Sequence, residues 1–169
     1  KHVTSVEKDF LTGKVLQAIN DNLEVTATTH ICGFEDAPTD DNGTYDLIVG
    51  NIPFGNFRVF DKSYSNPELT ERIHNYFFAK GLDKLGDGGM LAYITTDGFL
   101  NSPANYGARK YLFERADFVS LTVMPDNLMS ETGGVKAPSH LLVVQKREDK
   151  KQLSPNEELL LATEQQYNG

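Results

Sequence analysis

The stretch YDLIVGNIPFGNF, residues 45–57, contains the side chains of this sequence that are best suited to chemistry. An apolar run ends at Asn51, and Ile52, Pro53 and Phe54 follow directly. The carboxamide oxygen of Asn51 and the backbone carbonyl of Ile52 would form a pair of acceptors. Such a pair suits an exocyclic amino group on a base, because that group has two N–H donors. Binding both hydrogens frees the nitrogen lone pair for attack on a methyl group.

The residues after this acceptor pair have both a chemical and a structural interpretation. Pro53 fixes the local backbone, so that the carbonyl of Ile52 points in a constant direction. Phe54 offers a flat face on which a base flipped out of its helix can stack. Methyl transfer then requires mainly positioning and a few oriented dipoles. The alternative is a turn at the end of a strand with a packed aromatic ring, and these four residues alone do not separate the two interpretations.

The sequence from Asn51 to Phe54 resembles the amino-methyltransferases of DNA, whose hallmark is Asn/Asp/Ser-Pro-Pro-Tyr/Phe. NIPF matches three of the four positions, and Ile52 is the departure. The longer strings NIPFGNFRVFD and RIHNYFFAKGLDKLGDGGMLAYITTDGFL are similar to one particular module. It is the adenine-N6 methyltransferase module of large helicase–methylase polypeptides carried by bacterial mobile elements and phages. The resemblance extends over nearly the whole chain up to Arg147.

The resemblance implies a Rossmann-like, seven-stranded α/β fold that uses S-adenosylmethionine, in a restriction-modification type of DNA methyltransferase acting on adenine N6. Asn51, Ile52, Pro53 and Phe54 would be its catalytic residues. Cytosine N4 and a protein glutamine amide are alternative targets for the same tetrad. A different alternative is a methyltransferase-like module without cofactor binding, which has a binding or structural role in a larger helicase–methylase protein.

The same resemblance implies which acidic residues bind the cofactor. The family places an acid at the end of its second strand, bonded to the ribose hydroxyls, and VTSVEKD puts Glu7 there, with Asp9 as second choice. A further acid follows the third strand and faces the cofactor adenine, for which ICGFEDA offers Glu35 or Asp36. The family's glycine-rich loop would precede Glu7, so we expect a domain that lacks its first strand and this loop. GDGG at residues 86–89 is no substitute, because it ends a helix and enters a strand.

Residues 55–66, GNFRVFDKSYSN, combine cationic and aromatic side chains on an otherwise acidic chain. Interleaved rings and cations suit a displaced strand or a flipped base, through stacking and phosphate contact. This pattern predicts substrate binding by Phe57 and Arg58, with Phe60 and Lys62 nearby. The alternative is that Phe57 and Phe60 pin the loop to the core and Arg58 is solvated.

Length and composition limit the function further. The 169 residues suffice for one domain with a sizeable core. The net charge of −8 cannot hold a polyanion by charge alone, so DNA binding is expected to involve regions outside this chain, such as a helicase domain of the same polypeptide. The lone Cys32 excludes an internal disulfide and fits a reducing, cytoplasmic compartment. No apolar run is long enough for a membrane span, and no His/Cys/Asp cluster has metal-binding spacing.

Strand-like and helix-like runs alternate along the chain. Strands are predicted at residues 3–7, 24–32, 45–50, 90–96, 118–124 and 140–146, and helices at residues 11–19, 66–86 and 102–115. This order predicts a mostly parallel sheet, with the last two strands as an antiparallel pair at one side. Asn51 would then lie at the carboxyl ends of the strands, where such sheets bind ligands. Residues 1–147 are predicted to form the methyltransferase domain, and residues 148–169 a polar tail or the start of a further segment.

Other conspicuous side chains have structural interpretations. His74, in RIHNYFF, is expected on the surface of a helix. Tyr76, Phe77 and Phe78 are expected in the core, and Cys32 is expected to be a small core residue.

Overall fold

A computed structural model describes residues 2–125 and 138–162 of the chain. The chain divides into two compact units, residues 1–40 and residues 41–169, which are described separately below. In the described ranges, no helix combines the length and the apolar character that crossing a membrane would require.

The first unit is a parallel two-stranded sheet with one helix. Strand β1 (His2–Glu7) pairs with β2 (Thr26–Ile31), and helix α1 (Phe10–Asn20) connects them. The N-cap of α1 is Asp9, whose side chain accepts a hydrogen bond from the Thr12 backbone N–H at 2.8 Å. Gly13 lets α1 approach the sheet closely, since a Cβ there would lie 2.9 Å from a side-chain carbon of Ile31. The register brings the carboxyl ends of both strands to the same edge.

The second unit contains a four-stranded sheet in the order β3-β4-β6-β5. Strand β3 (Tyr45–Asn51) is parallel to β4 (Leu85–Thr96). Strand β6 (Ser139–Lys146) is antiparallel to both β4 and β5 (Ala116–Val123). The predicted antiparallel pair at one side of the sheet is therefore confirmed. GDGG lies in the first half of β4, where Gly88 has a positive φ of 77°.

Four α-helices accompany this sheet among the described residues: α2 (Ile73–Lys84), α3 (Asp97–Asn101), α4 (Tyr106–Phe113) and α5 (Pro155–Leu161). Short 3₁₀ turns are formed by Phe34–Asp36 in the first unit and by Pro67–Leu69 and Pro103–Asn105 in the second. The hydrophobic core lies between α2, α4 and the sheet. Tyr76 and Phe78 are fully buried in α2 and Phe77 is partly buried, as predicted.

Two predicted helices are wrong in their first turns. The helix predicted from residue 66 is a 3₁₀ turn, Pro67–Leu69, and α2 begins only at Ile73. The break arises because the carbonyl of Thr70 accepts a hydrogen bond from the Val59 backbone N–H at 2.9 Å, which ties this segment to the preceding loop. The helix predicted from residue 102 likewise begins as a 3₁₀ turn, and α4 starts at Tyr106.

Residues 148–162 are part of the second unit, in which α5 packs against α4 and β5. The N-terminus of α5 is a capping box formed by Ser154 and Glu157. The buried carboxylate of Glu157 also accepts from the backbone N–H of Phe118 in β5, and it pairs with the buried ammonium of Lys150. This carboxylate therefore joins α5 to the sheet. A domain boundary at residue 147 stays a prediction.

Candidate functional site

Asn51 is the last residue of β3 and lies at the carboxyl edge of the parallel pair β3–β4. It is paired in register with Ile94, and the next backbone N–H, that of Ile52, donates to the carbonyl of Ile94 at 3.2 Å. The Asn51 residue is exposed, and its carboxamide bonds to no other residue in the described ranges. The amide is therefore available to a ligand at this edge.

Ile52 differs from Asn51 because its side chain points into the core. It is only 2% exposed and packs in the main hydrophobic cluster. An aliphatic residue fits this position well, since only a backbone carbonyl would be required for chemistry. Pro53 and Phe54 follow, both partly buried.

A pocket of about 440 Å³ lies beside Phe54. Its lining comes from the loop after β3, from Arg72 and His74 on either side of the first residue of α2, and from Thr96 at the end of β4 and the segment that follows it, including Asn105. The pocket is thus built at the carboxyl edge of β3 and β4, where the sequence predicts ligand binding. Arg72 is fixed in its lining, because its guanidinium donates to Asn56 Oδ1 at 2.6 Å.

The wall formed by residues 97–105 is held by a buried arginine. Arg109 in α4 is completely buried, and its Nη1 donates to the carbonyls of Phe99 and Ser102, each at 2.8 Å. Asn105 adds a bond within this wall, from its Nδ2 to the carbonyl of Gly98 at 2.7 Å. No carboxylate pairs with Arg109 among the described residues, and burial lowers its pKa. The guanidinium therefore serves to fix the backbone of the pocket wall.

His74 is not on the helix surface, and the prediction that placed it there is wrong. The residue is only 5% exposed, and its ring packs edge-on against Phe99 with the centroids 5.8 Å apart. Most of α2 is buried, including the polar residues Asn75 and Lys80. Nearly every side of α2 is buried. The spacing of its apolar residues therefore does not distinguish a buried position such as His74 from a surface position.

The loop of residues 55–66 is anchored by a residue that the sequence analysis did not single out. Val59 is buried and bonds through its backbone to Thr70. Phe57 is 53% exposed and Phe60 is 83% exposed, so the alternative in which these rings pin the loop to the core is wrong. The Arg58 guanidinium lies over the Phe60 ring, 5.5 Å from its centroid. The loop therefore presents rings and a cation to solvent.

Asp61 is the polar anchor of the same loop. Its Oδ2 accepts from the Tyr76 hydroxyl at 2.6 Å and from the Lys80 ammonium at 3.2 Å, and both partners are buried in α2. Its Oδ1 accepts from the Ser63 backbone N–H at 2.9 Å. Burial alone would raise the pKa of Asp61, but these donors outweigh it and lower the pKa to about 2.

This anchor makes the stability of the second unit pH-dependent. The folded-state pKa of Asp61 lies below its ordinary value of 3.8, so the stabilisation is complete above about pH 4 and is lost as pH falls toward 2. We expect Asp61→Asn to lower the free energy of unfolding by roughly 2 kcal/mol at pH 7, with the difference shrinking below pH 4. Urea unfolding followed by tyrosine fluorescence measures this unit, since all seven tyrosines lie after residue 40. An equal loss in Asp46→Asn, which alters an exposed carboxylate, would contradict the assignment.

The acidic residues expected to bind the cofactor lie in the first unit. Glu7 ends β1, and its Oε1 accepts from the Asp9 backbone N–H at 2.8 Å, which orients the carboxylate at the strand edge. Glu35 lies in the 3₁₀ turn after β2 and pairs with Lys8 at 3.0 Å, while Asp36 is exposed. Asp9 is occupied as the N-cap of α1, and the bonds from Thr12 lower its pKa. The structure thus brings Glu7, Glu35 and Asp36 to the same strand edge, and the Asp9 carboxylate caps α1.

The described residues contain no group of three or more His, Cys, Asp or Glu side chains that could hold a metal ion. Cys32 is partly buried.

Comparisons with known proteins relate this chain to restriction-modification methylases. The sequence model of a family described as Eco57I restriction-modification methylase matches residues 4–127. Among curated proteins, the defense against restriction protein B of Escherichia phage P1 is 29% identical over 135 residues. The aligned region is 78% of this chain but only 6% of that protein, so the chain spans a small fraction of the relative's length.

Solved structures show the same fold at low sequence identity. A Listeria monocytogenes protein described as a class I S-adenosylmethionine-dependent methyltransferase matches with a TM-score of 0.73 and 16% identity, over 91% of this chain and 47% of that one. The M protein of the type I restriction enzyme EcoKI matches with a TM-score of 0.70 and 14% identity, over 83% of this chain and 30% of that one. The predicted Rossmann-like methyltransferase fold is therefore confirmed.

Proposed function

Because this chain belongs to the Eco57I restriction-modification methylase family, we propose that it transfers a methyl group from S-adenosylmethionine to the N6 amino group of adenine in DNA. The observation that carries the proposal is the exposed carboxamide of Asn51 at the carboxyl edge of β3, beside a pocket lined by Phe54. This is where an open α/β sheet binds its ligands.

In the proposed reaction, the chain's own residues position the target base. The Asn51 carboxamide oxygen and the Ile52 carbonyl accept the two amino hydrogens, which directs the nitrogen lone pair toward the methyl group. Phe54 stacks on the flipped base. The rate gain comes from preorganised acceptors and from orientation.

The residues at the first unit's strand edge fit the cofactor. Glu7 is held by a backbone N–H and presents a carboxylate suited to the paired hydroxyls of a ribose, and Glu35 or Asp36 would face the adenine. S-adenosylmethionine, when bound, supplies a methyl group on a positively charged sulfur. Glu7 and the acids after β2 would bind and orient it.

The experiment is methylation of unmethylated bacterial DNA by the intact protein with S-[methyl-³H]adenosylmethionine, followed by digestion to nucleosides. The proposal expects the label in N6-methyladenine. Label in N4-methylcytosine would change the target base, and label in protein glutamine would change the substrate class. Absence of label from both DNA and protein would contradict a methyltransferase function.

DNA is proposed as the partner, with much of the affinity supplied by other regions because this chain carries a net charge of −8. The name of the phage relative refers to defense against restriction, and the EcoKI M protein belongs to a restriction enzyme. Both names refer to restriction. A helicase domain of the same polypeptide is proposed as one of these other regions.

The exposed loop of residues 55–66 is proposed to contact DNA through Phe57 and Arg58. We expect the double variant Arg58→Ala/Lys62→Ala to weaken DNA binding and to flatten the dependence of log Kd on log salt by up to about two phosphate contacts. The affinity for S-adenosylmethionine should not change. Lys110→Ala/Lys151→Ala, which removes two other exposed cations, is the matched control. If log Kd depended on log salt equally in the loop variant and the wild type, the loop would have a structural role and would not contact DNA.

A further inference from the structure

Phe60 is the most exposed large apolar side chain in the part of the chain that the structure describes, at 83%. Single apolar residues are common on protein surfaces, so exposure alone indicates no function. At this position, however, both neighbours in sequence are turned inward. Val59 is buried, and the side chain of Asp61 is only 8% exposed. The Phe60 ring therefore projects into solvent from between two buried side chains.

The backbone that carries Phe60 is fixed on both sides of the ring. The Val59 N–H donates to the carbonyl of Thr70 at 2.9 Å, and the Asp61 carboxylate accepts from two buried side chains of α2. These bonds leave residue 60 little backbone freedom to lose when a ligand binds, which lowers the entropic cost of binding. A ring that is exposed on such a preorganised backbone is suited to a binding contact.

The exposed side chains around Phe60 form a cation–ring–cation row, Arg58, Phe60 and Lys62, which alternates with the inward residues Val59 and Asp61. The Arg58 guanidinium lies over the ring, 5.5 Å from its centroid. Cations beside an aromatic ring suit a nucleic acid, because the cations can face phosphates while the ring stacks on bases. The row thus has the chemistry of a DNA contact, on a chain whose net charge is −8.

The loop that carries this row starts at the rim of the pocket beside Phe54. Gly55 and Asn56 line that pocket, and the ring of Phe57 lies against Gly55, because a Cβ built there would be 2.5 Å from a ring carbon of Phe57. Phe60 follows three residues after Phe57. The exposed ring therefore belongs to the same loop that forms one side of the pocket.

A wedge, meaning an apolar side chain that inserts between base pairs, has a defined task in the proposed reaction. An enzyme that acts on a base of duplex DNA has to flip the nucleotide out of the stack, and this costs stacking and pairing energy. The gap that remains is one base pair high, about 3.4 Å, which suits a single flat ring. Phenylalanine is one of the side chains that insert between base steps in this way.

We propose that Phe60 is such a wedge: it enters the duplex at the target nucleotide and fills the space that the flipped base leaves, while Arg58 and Lys62 face the flanking phosphates. The proposal rests on the proposed function, because a wedge is needed only where a base is flipped for methylation. Phe60 does not touch the reacting nitrogen in this role. It is a positioning residue that stabilises the extruded state of the target base.

The first test compares two duplexes that carry the sequence labelled by the wild-type intact protein, with the target adenine opposite either thymine or an abasic residue. Phe60→Ala should lower kcat/KM by about 10–100-fold on the paired duplex, since one aromatic stacking contact is lost. On the abasic duplex its kcat/KM should be within about threefold of the wild type, because an unpaired base is extruded more easily. Phe60→Leu keeps an apolar wedge and should restore part of the loss.

Leu159→Ala is the matched control, because it removes an exposed apolar side chain from α5, outside the loop. Its kcat/KM should equal that of the wild type on both duplexes. Equal losses for Phe60→Ala on the two duplexes, or no loss on the paired one, would overturn the inference alone. A wild type that labels no DNA would instead overturn the proposed function.

The second test does not depend on turnover. Residues 1–169 contain no tryptophan, so the difference in emission between Phe60→Trp and the wild type reports an indole at the wedge position. When the intact protein binds the paired duplex in the presence of S-adenosylhomocysteine, this emission should lose its accessibility to iodide, because the ring is stacked between bases. The indole of Leu159→Trp should stay accessible. Equal quenching by iodide of the indole at position 60 in the free and the bound protein would overturn the proposal.

Discussion

Replacing Asn51 by alanine should lower the rate of methyl transfer to DNA by about 10²–10³-fold and leave the free energy of unfolding unchanged. The rate should fall because the variant loses one of two preorganised acceptors for the amino group. Stability should persist because the Asn51 residue is exposed and its carboxamide makes no bond to the rest of the described chain. Initial rates of label incorporation, together with urea unfolding, measure both quantities.

The matched control is Asn156→Ala, which removes an exposed carboxamide from α5. Its rate and stability should equal those of the wild type. If Asn51→Ala turned over at a near-normal rate, or if it unfolded, Asn51 would be a turn residue at the end of a strand. Either outcome would mean that residues 51–54 form a structural turn with a packed aromatic ring and do not bind the substrate.

Replacing Glu157 by alanine should destabilise the second unit by about 1–3 kcal/mol, because Lys150 keeps Asp117 as a partner at 3.2 Å. The variant leaves the backbone N–H of Phe118 without its acceptor, and it removes a carboxylate 2.7 Å from the buried Lys150 ammonium. Burial alone would raise the pKa of Glu157, but Lys150 and the N–H groups of Ser154 and Phe118 outweigh it and keep the pKa low. The carboxylate is therefore charged near neutral pH, and each of its two oxygens accepts a hydrogen bond. Urea unfolding with tyrosine fluorescence measures the loss.

Glu158→Ala is the matched control for this prediction, because Glu158 is the exposed neighbour in the same helical turn. Its effect should be within about 0.5 kcal/mol of the wild type. Similar stabilities for the two variants would mean that Glu157 does not join α5 to the sheet.

The strand that ends at Asn51 and the two strands of the first unit were predictable from local sequence. The β-branched runs and the turns between them placed β1, β2 and β3 within a few residues of their observed bounds. The position of Asn51 at the carboxyl edge followed from the order of strands and helices. The break before α2 was not predictable in this way, because it depends on the bond between Val59 and Thr70, a contact outside the helix.

The pocket could be predicted only in part. Phe54 was found through its motif, but His74 and Arg109 were not, because charged or polar residues on a helix usually face water. Both are buried because α2 and α4 pack against each other and against the sheet. This packing depends on contacts between elements, which the sequence of a single helix does not show. In the loop of residues 55–66, composition alone could not show that Val59 is inside while Phe60 is outside.

The buried guanidinium of Arg109 has a consequence for the thermodynamics of binding. It ties the carbonyls of Phe99 and Ser102 to α4, so the backbone of this pocket wall has little conformational freedom left to lose. A ligand that docks against the wall therefore meets a surface that is already ordered. The entropic cost of capture falls mainly on exposed side chains such as Phe57 and Phe60, at about 0.5–1.5 kcal/mol for each one immobilised.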